Sequence, residues 1–238
     1  MKKIALIYLF LLGISTNAQF WYNSVRGNGN VITETRKISD FNKVTVTGSF
    51  HVHIFHGKTG DIKIETDENI MPLIETYTKG DELVIRFKKK TNIRKTTKLN
   101  VSLPVSKLSK IKITGSGYVK SNETFEQNKI YLTVTGSGDI ALKFKLNELY
   151  ALVTGSGRIS LKGKTNEANY RVTGSGDIDA KQINSSSVEA KVTGSGDISA
   201  HANREIIAKV TGSGDIYYYG NPKRIKTKVL GSGSIRKK

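Results

Sequence analysis

The sequence predicts an all-β protein: a β-solenoid of about seven coils of roughly 19 residues, preceded by a less regular β region. Three observations predict it. First, Gly-Ser-Gly occurs seven times, starting at Gly115, Gly136, Gly155, Gly174, Gly194, Gly212 and Gly231, at intervals of 18 to 21 residues. Such a period marks a repeat architecture. Second, the flanks repeat with the triplet: a β-branched residue and Thr before it, and one polar residue then Val or Ile after it, as in Val172-Thr173 and Asp177-Ile178. Third, helix signals are weak along the whole chain, with at most one turn near Asn69 to Ile74.

The first 18 residues read as an export signal. Lys2 and Lys3 form a charged start, Ile4 to Ile14 is an uncharged run, and Ser15 to Ala18 supplies a small residue at the cut. That run is too short to cross a bilayer, which takes about 20 residues. No second apolar run follows, so no integral membrane segment is expected in the mature chain, and no Cys follows to carry a lipid. The expected location is the periplasm, the cell surface or the medium. Residues 19–30, with Phe20-Trp21-Tyr22 and Gly27-Asn28-Gly29-Asn30, read as a flexible lead-in.

Residues 31–105 read as β-structure that caps or begins the solenoid. Val46-Thr47-Gly48-Ser49-Phe50 echoes the repeat with Phe in place of the last Gly. Strand-like runs follow at 52–55, 61–66, 82–87 and 98–103, separated by the turn signals Gly57 to Gly60 and Lys79-Gly80-Asp81.

Residues 106–238 hold the repeat. Val, Thr and Ile favour strands, and Gly permits a sharp corner or a close backbone approach. A coil of about 19 residues is too short for a helix plus a strand with two connections. Stacked coils, about 4.8 Å apart, would align Val134, Val153, Val172, Val192 and Val210 in one inward column and Ile140, Ile159, Ile178, Ile198 and Ile216 in another. No coil would be stable alone, because its neighbours complete its core. With no Cys among 238 residues, packing and backbone hydrogen bonds must supply the stability.

The net charge is +18, which favours polyanionic neighbours or simply keeps a sheet-rich protein soluble. An exported protein is not expected to work on nucleic acid. Two patches are candidate ligand surfaces. The densest basic one is Arg86, Lys88, Lys89, Lys90, Arg94, Lys95 and Lys98, and the densest aromatic one is Tyr217, Tyr218 and Tyr219. Asp177, Asp197 and Asp215 fall in consecutive coils, where they either cap turns or share a cation; the sequence leaves that open. Arg158 falls in the same column, one coil from Asp139 and one from Asp177, placed for an ion pair across coils. His51, His53 and His56 could suggest a metal, but His51 and His53 share one strand face and read as solvated. The triplet lacks the Lys-Ser/Thr ending and the helix of a phosphate loop. No catalytic constellation, metal site or cofactor site is assigned. Arg236-Lys237-Lys238 would oppose stacking on an open sheet edge.

Three stretches carry a resemblance: Arg26 to Asn30, Ile38 to Gly48, and the tandem Val-Thr-Gly-Ser-Gly-Asp-Ile units. In them the chain resembles the family known as the "putative autotransporter adhesin, head GIN domain", over nearly all of the mature chain. The resemblance implies a right-handed single-stranded β-helix, an exported location and no established activity. No set of membrane strands follows Ile235, so self-export is not expected. The leading expectation is a non-enzymatic, adhesin-like binding module that contacts glycan, such as polysaccharide, or another anionic envelope component. The alternatives are a structural scaffold for protein partners or a homo-oligomer, and, behind both, a carbohydrate-active enzyme.

Overall fold

The corner triplet sets the cross-section of the molecule. In the computed structural model, which describes residues Ser24–Lys238, the first glycine of every triplet has φ between +106° and +123°. L side chains rarely adopt that region, so glycine is required there. The third glycine is required for a different reason. A Cβ on Gly176 would lie 2.3 Å from the Gly157 carbonyl oxygen of the coil before it, and one on Gly196 would lie even closer to that of Gly176. The first position makes the bend, and the third lets coils approach. The expected export signal, residues 1–18, lies outside the described residues.

In chain order the strands are β1 (Ser24–Arg26), β2 (Val31–Lys37), β3 (Lys43–Thr47), β4 (His51–His56), β5 (Asp61–Asp67), β6 (Ile74–Lys79), β7 (Glu82–Phe87), β8 (Asn92–Lys95), β9 (Leu99–Val105) and β10 (Lys110–Gly115). There follow β11 (Tyr118–Glu126), β12 (Lys129–Gly136), β13 (Asp139–Gly155), β14 (Arg158–Gly174), β15 (Asp177–Gly194), β16 (Ile198–Gly212), β17 (Asp215–Tyr219), β18 (Arg224–Leu230) and β19 (Ser234–Lys237). The one helical feature among the described residues is a 3₁₀ turn at Met71–Leu73, inside the segment where the sequence allows a single turn. All strands but β1 and β8 belong to one continuous sheet.

From β10 onward, successive coils pair in parallel and in register: Ile113 with Val134, Val134 with Val153, Val153 with Val172, Val172 with Val192, and Val192 with Val210. The members of this column are fully buried, as are Val119, Ile159, Ile198 and Ile216 of the second column. Each such side chain contributes about 1.5–3 kcal/mol. The columns do not run the full length as expected. No described strand pairs on the outer side of β18, and Val229 stays 40% exposed.

Stack order departs from chain order at the N-terminal end. Strands β3 and β4 form a coil with its own corner at Gly48 (φ +124°). That coil lies between β10/β11 on one side and β7/β9 on the other. The chain therefore leaves after β4, returns as β7 and β9 on the far side, and then crosses back to β10. This explains Phe50. The layer beneath it has no glycine corner, so no carbonyl blocks a side chain, and its ring stacks on Phe87 at 4.6 Å. Beyond that layer the pairing turns antiparallel: β6 on β7, β5 on β9 and β2 on β5. Antiparallel strands interrupt the parallel stack, which would otherwise present a free edge there. The Arg36 guanidinium holds β2 in place by donating to the Ile74 and Met71 carbonyls at 2.8 and 3.1 Å.

From Ser24 on, the lead-in is tied to the same end. Strand β1 pairs with β8, and the Gly29 N–H donates to the Asp67 carboxylate at 2.8 Å. Asp67 is fully buried and also accepts from the Thr97 N–H and hydroxyl at 2.7 and 2.8 Å. Burial pushes its pKa up, but these donors outweigh burial and hold it below the usual carboxylate value.

Candidate functional site

Opposite in sequence to the glycine corner, the coils of β12, β13 and β14 bend a second time at amide residues. Asn128, Asn147 and Asn166 each stand eight residues before the first glycine of a triplet. The side-chain amides form a ladder: Asn147 Nδ2 donates to Asn128 Oδ1 at 2.6 Å, and Asn166 Nδ2 to Asn147 Oδ1 at 2.8 Å. Farther along, Asn203 donates to Asn184. A groove of about 550 Å³ runs along this bend, lined among others by Lys145, Asn147, Lys164, Asn166, Asn184 and Asn203. Lys145 is paired with Glu126 at 2.9 Å, whereas Lys164 has no such partner among the described residues. The groove thus presents amides, which both donate and accept, with cations beside them.

On the strand after this bend lies an aromatic cluster. Tyr131 and Tyr150 stack at 4.8 Å, and the Lys129 ammonium lies 5.2 and 4.8 Å from the two ring centres. Glu148 accepts from Lys129 at 2.9 Å and from the Tyr150 hydroxyl at 3.0 Å. Hydrogen bonding to Glu148 raises the Lys129 and Tyr150 pKa values, and Lys129 lowers that of Glu148. Next to Tyr150 the register places the short Asn169, leaving a groove of about 330 Å³ bounded by Tyr131, Leu152 and Arg171 as well. Tyr131 is 43% exposed.

The structure separates the residues that the sequence singles out. Tyr218 points inward against the core. Tyr217 donates to Asp215 at 2.8 Å and lies under the Lys238 ammonium, so the three tyrosines form no common platform. Of the basic patch, Arg86 is paired with Glu75 at 2.8 Å and Lys98 with Glu65 at 3.0 Å. Lys88, Lys89, Lys90, Arg94 and Lys95 are exposed on the β7–β8 turn and on β8. His51 stacks on Tyr118 at 4.2 Å, and His56 meets Phe125 at 4.5 Å.

The aspartate column has a structural task. Asp139, Asp177, Asp197 and Asp215 each accept the backbone N–H of the equivalent residue one coil on, at 2.7 to 3.2 Å. Each carboxylate therefore ties its corner to the next. Arg158 meets Asp177 at 3.2 Å, the ion pair across coils that the spacing suggests. Sequence reasoning missed the amide ladder and the Tyr131–Tyr150 cluster. Counting back from the triplets at Gly136, Gly155 and Gly174 aligns the three amides, and counting back from the first two of these aligns the tyrosines.

Comparison with known proteins fits this geometry. Residues 40–222 match the family described as "Putative auto-transporter adhesin, head GIN domain". A putative adhesin from Bacteroides fragilis superimposes with a TM-score of 0.82 at 24% identity, over 90% of this chain and 100% of that one. A putative lipid binding protein from Parabacteroides distasonis gives 0.77 at 26% identity, over 90% and 99%. A putative adhesin from Parabacteroides merdae gives 0.75 at 23% identity, over 90% and 99%. Among curated proteins none matches. The repeat, the stacked corners and a family match that spans most of the solenoid lead to one conclusion: the chain belongs to the head GIN domain family.

Proposed function

We propose that the chain is an exported, non-catalytic, adhesin-like module that contacts envelope glycan along its amide bend. The observation that carries this reading is the groove of about 550 Å³ lined by stacked Asn side chains with Lys145 and Lys164. Amides fixed in a ladder offer sugar hydroxyls donors and acceptors over three successive coils. A linear polysaccharide meets a repeated site there, and many weak contacts add up along its length. The aspartates support a non-catalytic role, since each is engaged with the neighbouring backbone. A lipid ligand, suggested by the description of the Parabacteroides distasonis relative, is less favoured, because Val and Ile side chains fill the interior columns.

The test is retention of the purified protein on immobilised envelope polysaccharide. The double variant Lys164→Ala with Asn166→Ala should lose at least about ten-fold in affinity, equivalent to 1.4 kcal/mol, with an unchanged far-UV spectrum. Equal retention of the variant and the parent protein would overturn the reading.

A further inference from the structure

Three residues before each of the last four triplets stands a cation: Arg171, Lys191, Lys209 and Lys228. The register stacks them directly, Arg171 on Lys191, Lys191 on Lys209 and Lys209 on Lys228. Adjacent coils are about 4.8 Å apart, so four positive charges form a straight row on one face of the sheet. Like charges placed directly opposite destabilise a sheet. Nothing in the fold offsets them: among the described residues none of the four makes an ion pair. Two of the carboxylates nearby are engaged in their own columns. Glu189 accepts from Asn169 at 3.0 Å, and Glu205 from Arg224 at 2.7 Å.

A second row runs beside the first. Two residues on, and on the same face, stand Thr173, Thr193 and Thr211, also in register. Each coil thus offers one cation and one hydroxyl. We propose that this double row is a docking strip for a linear acidic polysaccharide laid along the solenoid axis, with a carboxylate or sulfate on each sugar. A narrow chain can follow the cations and leave the Glu167–Glu189–Glu205 side untouched, whereas a flat anionic membrane would meet those carboxylates too. Nucleic acid fits less well, because the Tyr131–Tyr150 stack borders only the Arg171 end, and no aromatic residue stands two positions to either side of Lys191, Lys209 or Lys228 on which a base could stack. The inference rests on the reading of the chain as a glycan-binding module. It uses a different strip, five residues along the coil from the amide bend.

The experiment measures binding of oligogalacturonate and of neutral dextran at several salt concentrations. Three variants are compared with the parent protein: Arg171→Gln/Lys191→Gln/Lys209→Gln in the row, Lys88→Gln/Lys89→Gln/Lys90→Gln on the β7–β8 turn, and Lys164→Ala/Asn166→Ala in the groove. The parent protein should bind oligogalacturonate and not dextran. The row variant should bind it at least about ten-fold more weakly and with a shallower salt dependence, since each cation removed is one fewer counterion exchange. The turn variant removes the same charge and should stay within about two-fold, because only the row is in register with the ligand. The row variant should also melt no lower than the parent protein at low salt, since it relieves repulsion. Equal weakening by the row and turn variants would overturn the proposal. So would an unchanged row variant, or row-dependent binding of anionic lipid vesicles or of single-stranded DNA in preference to oligogalacturonate. A groove variant that loses envelope polysaccharide but keeps oligogalacturonate separates the two strips. A groove variant that loses neither sinks the groove reading alone.

Discussion

The third glycine of a corner triplet carries a sharp prediction. Gly176 is the best case, because its φ lies outside the left-handed region and only space is at stake. In Gly176→Ala the new Cβ would sit 2.3 Å from the Gly157 oxygen and 2.6 Å from Val153 Cγ1, while real Cβ atoms stay beyond about 3.0 Å. The Gly157 oxygen is also the acceptor for the Asp177 N–H at 3.0 Å. The coils must therefore part at the corner, and that hydrogen bond lengthens. Overpacking costs about 1–3 kcal/mol, and a weakened hydrogen bond adds about 1 kcal/mol. A loss near 3 kcal/mol should lower the urea midpoint by about 1 M or more, given slopes of about 1–3 kcal/mol/M. Gly174→Ala should lose more, because positive φ adds about 1–2 kcal/mol to the same kind of clash. Ser175→Ala, between them and exposed, should stay within about 0.5 kcal/mol. If Gly176→Ala unfolds with the midpoint of Ser175→Ala, coil-upon-coil contact does not explain the triplet.

Two further predictions follow from buried polar groups. The depressed pKa of Asp67 means that its contribution is fully present above the ordinary value of 3.8 and fades as pH falls through the lower folded value. Acid titration of stability should therefore show a loss below about pH 4. Asp67→Asn should be destabilised by roughly 1.5–3 kcal/mol at neutral pH, with that acid limb flattened; an unchanged acid limb would contradict the assignment. The Tyr170 hydroxyl is buried without a hydrogen bond of normal geometry, and burial raises its pKa. Tyr170→Phe should be neutral or more stable by up to about 1.5 kcal/mol in urea denaturation, because an unsatisfied polar atom leaves the core.

The repeat was legible because glycine has few substitutes at either corner position. One position needs positive φ and the other needs a missing Cβ, so the same residue returns in every coil. The inward Val and Ile columns follow once the triplets are aligned. The return of β7 and β9 behind β3 and β4 was not legible, since strands read along the chain do not reveal their stacking order. Phe50 is the one trace of it: a side chain is tolerated only where no corner lies beneath. For the surface, density in sequence does not show which side chains share a face or meet a partner. Tyr217 to Tyr219 alternate in and out of the sheet, and Arg86 and Lys98 meet carboxylates that only the fold brings near. The amide ladder and the cation row are spread thinly, one residue per coil, and stand out only when the chain is read at the period of the repeat.

Distances between spin labels on one outward column test the stacking itself most directly. The chain has no cysteine, so Cys at Thr114, Thr135 or Thr211 would be the only attachment sites. In-register coils predict that the Thr114–Thr211 separation exceeds that of Thr135–Thr211 by one coil spacing, about 4.8 Å, and that the shorter is about 19 Å. Separations that fail to grow with coil number would contradict the solenoid and every surface derived from it.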